Sequence, residues 1–188
     1  MTRNFIRESL SILSNHYLVF ALLNWLFFGT IVLGAFWMQV PFLPAHAPSE
    51  GEGSLPVMIV DIFVSNLVLS AFVMLTLSGF AFFLLSPAIL LYRGWLWGVL
   101  LNGVPTSGFP LVLPVMILEG EGYVLAALAG VNLGLSWLKP EWVYRGKYMS
   151  RREAVKMSLK NCLYIYGLVS LFLLVAAIVE VVSLSLVI

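Results

Sequence analysis

The sequence predicts an all-α fold, a polytopic transmembrane helical bundle that forms one integral membrane domain over residues 1–188. Of its residues, 61% are hydrophobic and only 10% are charged, whereas a soluble domain carries about 25% charged residues. The mean hydropathy is +1.01. Apolar runs close to 20 residues, the length that crosses a bilayer as a helix, recur along the chain. Lipid must therefore be the solvent for much of this protein.

The first predicted segment spans residues 17–38. The small residues "AHA" at 45–47 resemble a secretory cleavage site, but the apolar run exceeds the ~7–15 residues of a signal core. We therefore expect a retained helix. An outer loop follows at 39–56, and it contains acids but no lysine or arginine.

The apolar region from residue 57 to residue 101 is too long for one crossing. We expect segments at about 57–85 and 88–103. The natural break of the region is "YRGW" (92–95), where Arg93 and Gly94 supply a charge and a flexible joint, so the second segment starts at about residue 88 or 95. Ser86-Pro87 is a second weak point because proline removes a helical hydrogen bond. The second of these segments is short or broken, and the sequence leaves open whether the pair makes one or two full crossings.

Two further segments are expected at about 112–138 and 161–186, joined by a basic cytoplasmic loop at 139–160. This loop holds seven basic and two acidic side chains. Within it, Ser150 and Glu153 have capping-box spacing, which predicts a helix start near Arg151.

Charge predicts the orientation, because lysine and arginine collect on the cytoplasmic side. The loop at 139–160 and the residues Arg3 and Arg7 place the N-terminus inside, and Arg93 would then mark an inner turn. The acidic loop at 39–56 falls outside. Five crossings in the cell membrane result, with the C-terminus outside.

Carboxylates in the apolar segments are the candidate functional residues. Glu119 and Glu121 point ~200° apart on a regular helix, so Gly120 and Gly122 would have to loosen the turn to bring them together. The alternative is that one acid faces the protein and the other reaches toward headgroups.

A count along the helices from the basic loop places Glu119 and Glu180 roughly 27–29 Å from the cytoplasmic side, near the outer edge of the hydrocarbon. Asp61 should reach the same level, and this layer should hold no lysine or arginine. Oxygen ligands suit a divalent ion such as magnesium or calcium, and His46 on the outer loop would make zinc conceivable. The candidate metal ligands are Asp61, Glu119, Glu121, Glu180 and His46. Hydrogen-bonded packing of helix ends is the competing interpretation.

Several motifs resemble the stage II sporulation protein M family. Its central signature reads Leu-Pro-His-Gly, two residues and Glu, followed by spaced glycines, which this chain matches at 113–114, Glu119, Gly130 and Gly134. Asn102-Gly103 fits the Asn-Gly that precedes the signature, Pro114 lies within it, and "AAIVE" at 176–180 fits the last helix. The histidine-glycine is replaced by Val115-Met116, so any role of that histidine is lost or moved.

The resemblance, which covers about residues 66–180, implies a small multispanning protein. In spore formers such proteins join a complex with peptidoglycan-remodelling partners in the membrane, and Asn102, Glu119 and Glu180 are the positions that carry over.

Two functional hypotheses follow. The first is a non-enzymatic membrane scaffold or complex subunit that associates with itself or with partner proteins through glycine-lined helix faces, for which Gly130 and Gly134 have the spacing. The second is a transporter or ion-binding protein that uses the outer carboxylates to bind a cation or relay protons. No nucleophile elbow, phosphate loop or HExxH motif occurs, a single cysteine excludes a thiolate cluster, and a net charge of +1 argues against nucleic acid. We expect no enzymatic activity.

Overall fold

The computed structural model describes residues 2–37, 54–144 and 149–185, and these are helical apart from short turns, with no strand among them. Within these ranges, four helices are long and apolar enough to cross a membrane, and a fifth apolar helix is shorter. The all-α membrane bundle predicted from composition is confirmed.

The chain begins with an amphipathic helix that lies outside the predicted segments. Helix α1 (Thr2–Asn15) packs against the last helix of the bundle, where the Ser9 hydroxyl donates to the Tyr164 carbonyl at 3.1 Å. The Phe5 ring lies 5.6 Å from the Tyr164 ring. A turn at His16 leads into α2 (Tyr17–Trp37), whose Phe27 is fully buried.

The third helix, α3 (Leu55–Ala81), changes its winding along its length. It begins as α-helix, is wound as a π-helix over Ser65–Leu77 and closes with an α-helical turn at Ser78–Ala81. Phe82 then adopts an extended backbone, and this residue ends the helix.

The position of this break corrects the prediction of a break at "YRGW", and it lies close to Ser86-Pro87, the second weak point. Helix α4 (Leu85–Leu101) runs without interruption through "YRGW", so Arg93 is not at a turn. The reason is packing: a Cβ on Gly94 would meet the Phe27 carbonyl oxygen at 2.7 Å. Gly94 therefore allows α4 to approach α2 closely, and it does not act as a joint.

Helix α5 (Phe109–Leu138) is the centre of the bundle, and most residues from Glu119 to Ser136 are buried. It follows a short 3-10 turn at Thr106–Gly108. Pro110 lies in the first turn, where no helical hydrogen bond is lost, whereas Pro114 lies inside the helix and removes one. The most extensive packing joins α5 to α7 and α2 to α4.

A one-turn helix, α6 (Pro140–Val143), precedes the long α7 (Arg151–Ser185). The start of α7 carries the capping box, because the backbone N–H of Ser150 donates to Glu153 Oε2 at 3.0 Å and the Glu153 N–H donates to Ser150 Oγ at 3.4 Å. Just before it, the Tyr144 hydroxyl lies 2.7 Å from Ser158 Oγ, and burial raises the pKa of the Tyr144 phenol.

Inter-helix contacts show which helix ends lie together. Ser183 Oγ donates to the Leu111 carbonyl at 3.4 Å, whereas Ser158 Oγ reaches the Asn132 carbonyl at 3.5 Å, so α5 and α7 are antiparallel. Thr76 Oγ1 donates to the Ala126 carbonyl and Trp137 Nε1 to the Phe80 carbonyl, so α3 runs with α5. Tyr17 at the start of α2 and Asn161 in the first turns of α7 line one cavity, so the start of α2 and the basic start of α7 share one end of the bundle.

Candidate functional site: a buried ion pair

One arginine, one glutamate and one tyrosine form a polar cluster between α4 and α5. Arg93 Nη2 lies 3.8 Å from Glu119 Oε1 and donates to the Tyr123 hydroxyl oxygen at 2.7 Å. The Tyr123 hydroxyl in turn donates to Glu119 Oε1. Glu119 and Tyr123 are four residues apart on α5, a spacing that puts both on one helix face. The cluster therefore contains one positive and one negative charge.

Aromatic rings enclose the guanidinium. Arg93 Cζ lies 3.9 Å from the Tyr123 ring centroid and 5.8 Å from that of Trp97, distances typical of cation–π contacts. The Arg93 Nε is buried and forms no hydrogen bond with the described residues. An apolar cleft of about 250 Å³ opens beside the pair, and it is lined by Trp97, Leu100, Leu101, Val104 and Met116.

The height of this cluster differs from the sequence expectation. Arg93 is the middle residue of α4, and Phe27, the middle residue of α2, lies beside Gly120. Glu119 is thus level with the midpoints of two helices and away from their ends. The count from the basic loop failed because α5 is 30 residues long and extends beyond α2 and α4. The expectation that no arginine lies near the acids is also wrong.

The predicted acids take separate positions. Glu121 is half-buried and accepts a hydrogen bond from the Asn24 side chain. Glu180 is half-buried and close enough to Glu119 for the two charges to interact. Asp61 is exposed on α3. His46 lies outside the described residues.

These positions can be compared with the predicted layer of metal-binding carboxylates. In the part of the chain that the structure describes, no three His, Cys, Asp or Glu side chains are grouped so that they could hold a metal ion. Glu119 faces α4 and Glu121 faces α2, as expected for two positions that point ~200° apart. The loosened turn that would have joined them does not form, since α5 is α-helical throughout.

Gly120 and Gly122 serve packing. A Cβ on Gly120 would lie 2.7 Å from the Phe27 ring, and one on Gly122 would lie 2.8 Å from the Leu173 side chain. The two glycines thereby let α5 approach α2 on one side and α7 on the other.

The spaced glycines of the family motif also allow two helices of this chain to pack closely. A Cβ on Gly130 would meet the Leu75 carbonyl oxygen at 2.6 Å, and one on Gly134 would meet the Gly79 carbonyl oxygen. Both residues are buried between α5 and α3. They are therefore not available as a face for self-association, which corrects that part of the scaffold hypothesis.

The remaining motif residues lie at the ends of helices. Asn102 caps the C-terminus of α4, and the Gly103 N–H donates to the Leu100 carbonyl at 3.0 Å. Pro114 is exposed near the start of α5. These residues shape the connection that holds α4 beside α5, and with it the ion pair.

A family model described as stage II sporulation protein M matches residues 21–183. The chain belongs to this family. The match includes all three members of the Arg93–Glu119–Tyr123 cluster. No curated protein and no solved structure matches the chain. Several apolar helices together with family membership make this family member a multi-pass membrane protein.

Arg93 and Tyr123 were not predicted from the sequence as site residues. Two signals could have found them: a lone arginine inside an apolar run needs a counter-charge, and Glu119 and Tyr123 have i, i+4 spacing. With its charges paired and its tyrosine satisfied, the cluster is suited to joining α4 to α5 inside a low-dielectric bundle.

Proposed function

We propose that this member of the stage II sporulation protein M family is a non-enzymatic scaffold or subunit of a membrane complex, and that it docks a partner transmembrane helix on α3. Its N-terminus and basic stretch would face the cytoplasm, and its C-terminus would lie outside. Support for this orientation comes from the helix directions, which bring Arg7 and the basic start of α7 to one end of the bundle.

The proposal rests chiefly on Asp61 and its surroundings on α3. In the most apolar stretch of α3 only 6% of residues are buried, against 56% for α5. Val57, Val60 and Val64 are 46–55% exposed and share one helix face. Asp61 projects from this same face and is exposed.

An exposed acid among valines is unusual in a spanning helix, because ionisable groups in membranes normally face the bundle interior or pair with one another. Asp61 lies about 9 Å from the start of α3, and no ion pair among the described residues uses it. A partner helix with a lysine, arginine or histidine at this height would satisfy the carboxylate and cover the valines.

A second copy of this chain fits less well. Apart from Arg93, which is already paired, the described lysines and arginines lie in α1 and from Lys139 onward, at the opposite end of the bundle. Two copies in the same orientation would therefore bring no described lysine or arginine to Asp61. Charge complementarity favours a different protein as the partner.

Site-specific photo-cross-linking in native membranes tests this. A photoreactive residue at Val64 should give a discrete adduct with a protein whose linked segment carries a basic residue, and Asp61→Asn should weaken that adduct. Leu33, 59% exposed on α2, is the matched control and should give lipid adducts only. A dimer of this chain, or an adduct that Asp61→Asn leaves unchanged, would contradict the proposal.

Cation binding remains a second candidate because Glu180 is close to Glu119, which gives two carboxylates for one arginine. Metal analysis of the purified protein separates the two functions. Stoichiometric zinc, magnesium or calcium that is lost in Glu119→Gln would favour ion binding, and metal-free protein would favour the scaffold.

A further inference from the structure

A cavity of about 490 Å³ lies at the basic end of the bundle, where the junction of α1 and α2 meets α6 and the first turns of α7. It does not include Arg93 or Glu119, and it lies at the opposite end from Asp61. An inference about this cavity is therefore independent of the docking face on α3.

One wall of the cavity is polar. Glu8, Ser11 and Asn15 line it from α1, and their i, i+3, i+7 spacing places them on one helix face. Asn161 lines it from α7. No hydrogen bond or ion pair within the described ranges uses the side chains of these four residues. The wall thus offers a carboxylate, a hydroxyl and two amide oxygens as free acceptors.

The charge of the cavity is opposite to that of its surroundings. Glu8 is the one formally charged side chain among the described residues that line it, although the 139–160 stretch of the sequence holds seven basic and two acidic residues. At the edge, Lys139 Nζ lies 4.4 Å from the centroid of the Trp142 ring. A ligand with a positive group inside the cavity and a negative group at its edge would complement Glu8 and Lys139.

Apart from His16, the rest of the described lining is apolar or aromatic. Tyr17, Leu18 and Trp142 are 61%, 57% and 57% exposed, and Tyr17 begins the first apolar span. Tyrosine and tryptophan are enriched at the level of lipid headgroups. The cavity therefore lies where α2 would enter the hydrocarbon, which favours an amphiphile over a ligand from water.

We propose that this cavity binds the headgroup of a zwitterionic phospholipid with a primary ammonium group. The ammonium donates hydrogen bonds to the Glu8 carboxylate and to Ser11 Oγ, which lie one turn apart on the same face of α1. The phosphate lies toward Lys139, and the acyl chains follow the exposed side of α2 at Leu18.

Lipid retention measured by native mass spectrometry tests the site. The full-length protein is purified from vesicles containing equal parts of phosphatidylethanolamine, phosphatidylcholine and phosphatidylglycerol. We expect enrichment of phosphatidylethanolamine, and Glu8→Gln should reduce it about tenfold, as expected for the loss of one charge-assisted hydrogen bond. Glu141→Gln changes an exposed acid at the same end but outside the cavity, and it should leave the enrichment unchanged.

Four outcomes would overturn the proposal. The first is equal retention of phosphatidylcholine, because its quaternary ammonium has no hydrogen to donate. The second is a preference for phosphatidylglycerol. The third is enrichment that survives Glu8→Gln, and the fourth is displacement of the lipid by free ethanolamine. Ser11→Ala is a second variant that removes an acceptor without changing charge, and it should lower the enrichment as well. Thermal melts of both variants show whether the fold is intact.

Discussion

At the scale of single residues, the protein's main polar contact is a charge pair surrounded by aromatic rings. The Glu119 side chain is 11% exposed and that of Arg93 is 21% exposed. Removal of one member of a buried pair leaves the other uncompensated in a low dielectric. The two residues should therefore be coupled far more strongly than a surface pair.

A double-mutant cycle measures this coupling. Glu119→Gln and Arg93→Gln should each lower the free energy of unfolding by roughly 3 kcal/mol, whereas the double variant should lose less than the sum of the two. Reversible unfolding in mixed micelles gives the values, with Glu141→Gln as a neutral control. Strictly additive losses would show that the pair does not act as a unit.

The sequence was informative about which residues are unusual but not about what they contact. Glu119 and Glu121 were identified because acids are rare in apolar runs, and their divergence follows from helix geometry. The partner of Glu119 was missed because Arg93 lies in "YRGW", where an adjacent glycine resembles a turn. Only the packing of Gly94 against α2 shows that the helix continues and brings Arg93 to Glu119.

At the scale of helices, glycines determine how closely neighbours approach. Gly34 on α2 and Gly98 on α4 face each other, and a Cβ on Gly34 would lie 3.2 Å from Gly98 Cα and 2.5 Å from the Trp95 carbonyl oxygen. A Cβ on Gly29 of the same helix would meet no atom of a neighbouring helix within 4 Å. The two glycines on α2 therefore form a matched pair for substitution.

Gly34→Ala should lower the free energy of unfolding by about 1–3 kcal/mol, because the added methyl group must push α2 and α4 apart. Gly29→Ala should be neutral or stabilising by up to about 1 kcal/mol, since alanine favours helix. Denaturant unfolding in micelles compares them. Equal effects of the two substitutions would contradict the close contact of α2 with α4.

Helix positions could be predicted from sequence where polar or charged residues bound an apolar run, as at Tyr17 and Leu138. Two features could not be predicted from the sequence. The amphipathic α1 is stabilised by contacts with Tyr164 and Gly167, which are distant in sequence. The helix break at Phe82 lies inside an apolar run, where Ser86-Pro87 marks its neighbourhood but not its position.

At the scale of the whole molecule, the five spanning or apolar helices of the described chain alternate in direction, so Ser54 and the basic start of α7 lie at opposite ends. In a membrane these ends face different compartments. The charge distribution predicts that the basic end is cytoplasmic.

Thiol labelling tests this orientation in a Cys162→Ser background, which removes the one natural cysteine. An impermeant reagent applied to whole cells should label Ser54→Cys, and it should label Arg152→Cys only after permeabilisation. Both positions are exposed, so access to the reagent is the variable. The reverse pattern would invert the topology.

The pairing of Arg93 with Glu119 also has a consequence for biogenesis. The short connection at 102–108 means that both charges leave the ribosome close together, well before α7 exists to cover α5. A helical hairpin with its charges already neutralised enters lipid at lower cost than two singly charged helices. We therefore expect α4 and α5 to partition into the bilayer as one unit, with α7 joining afterwards.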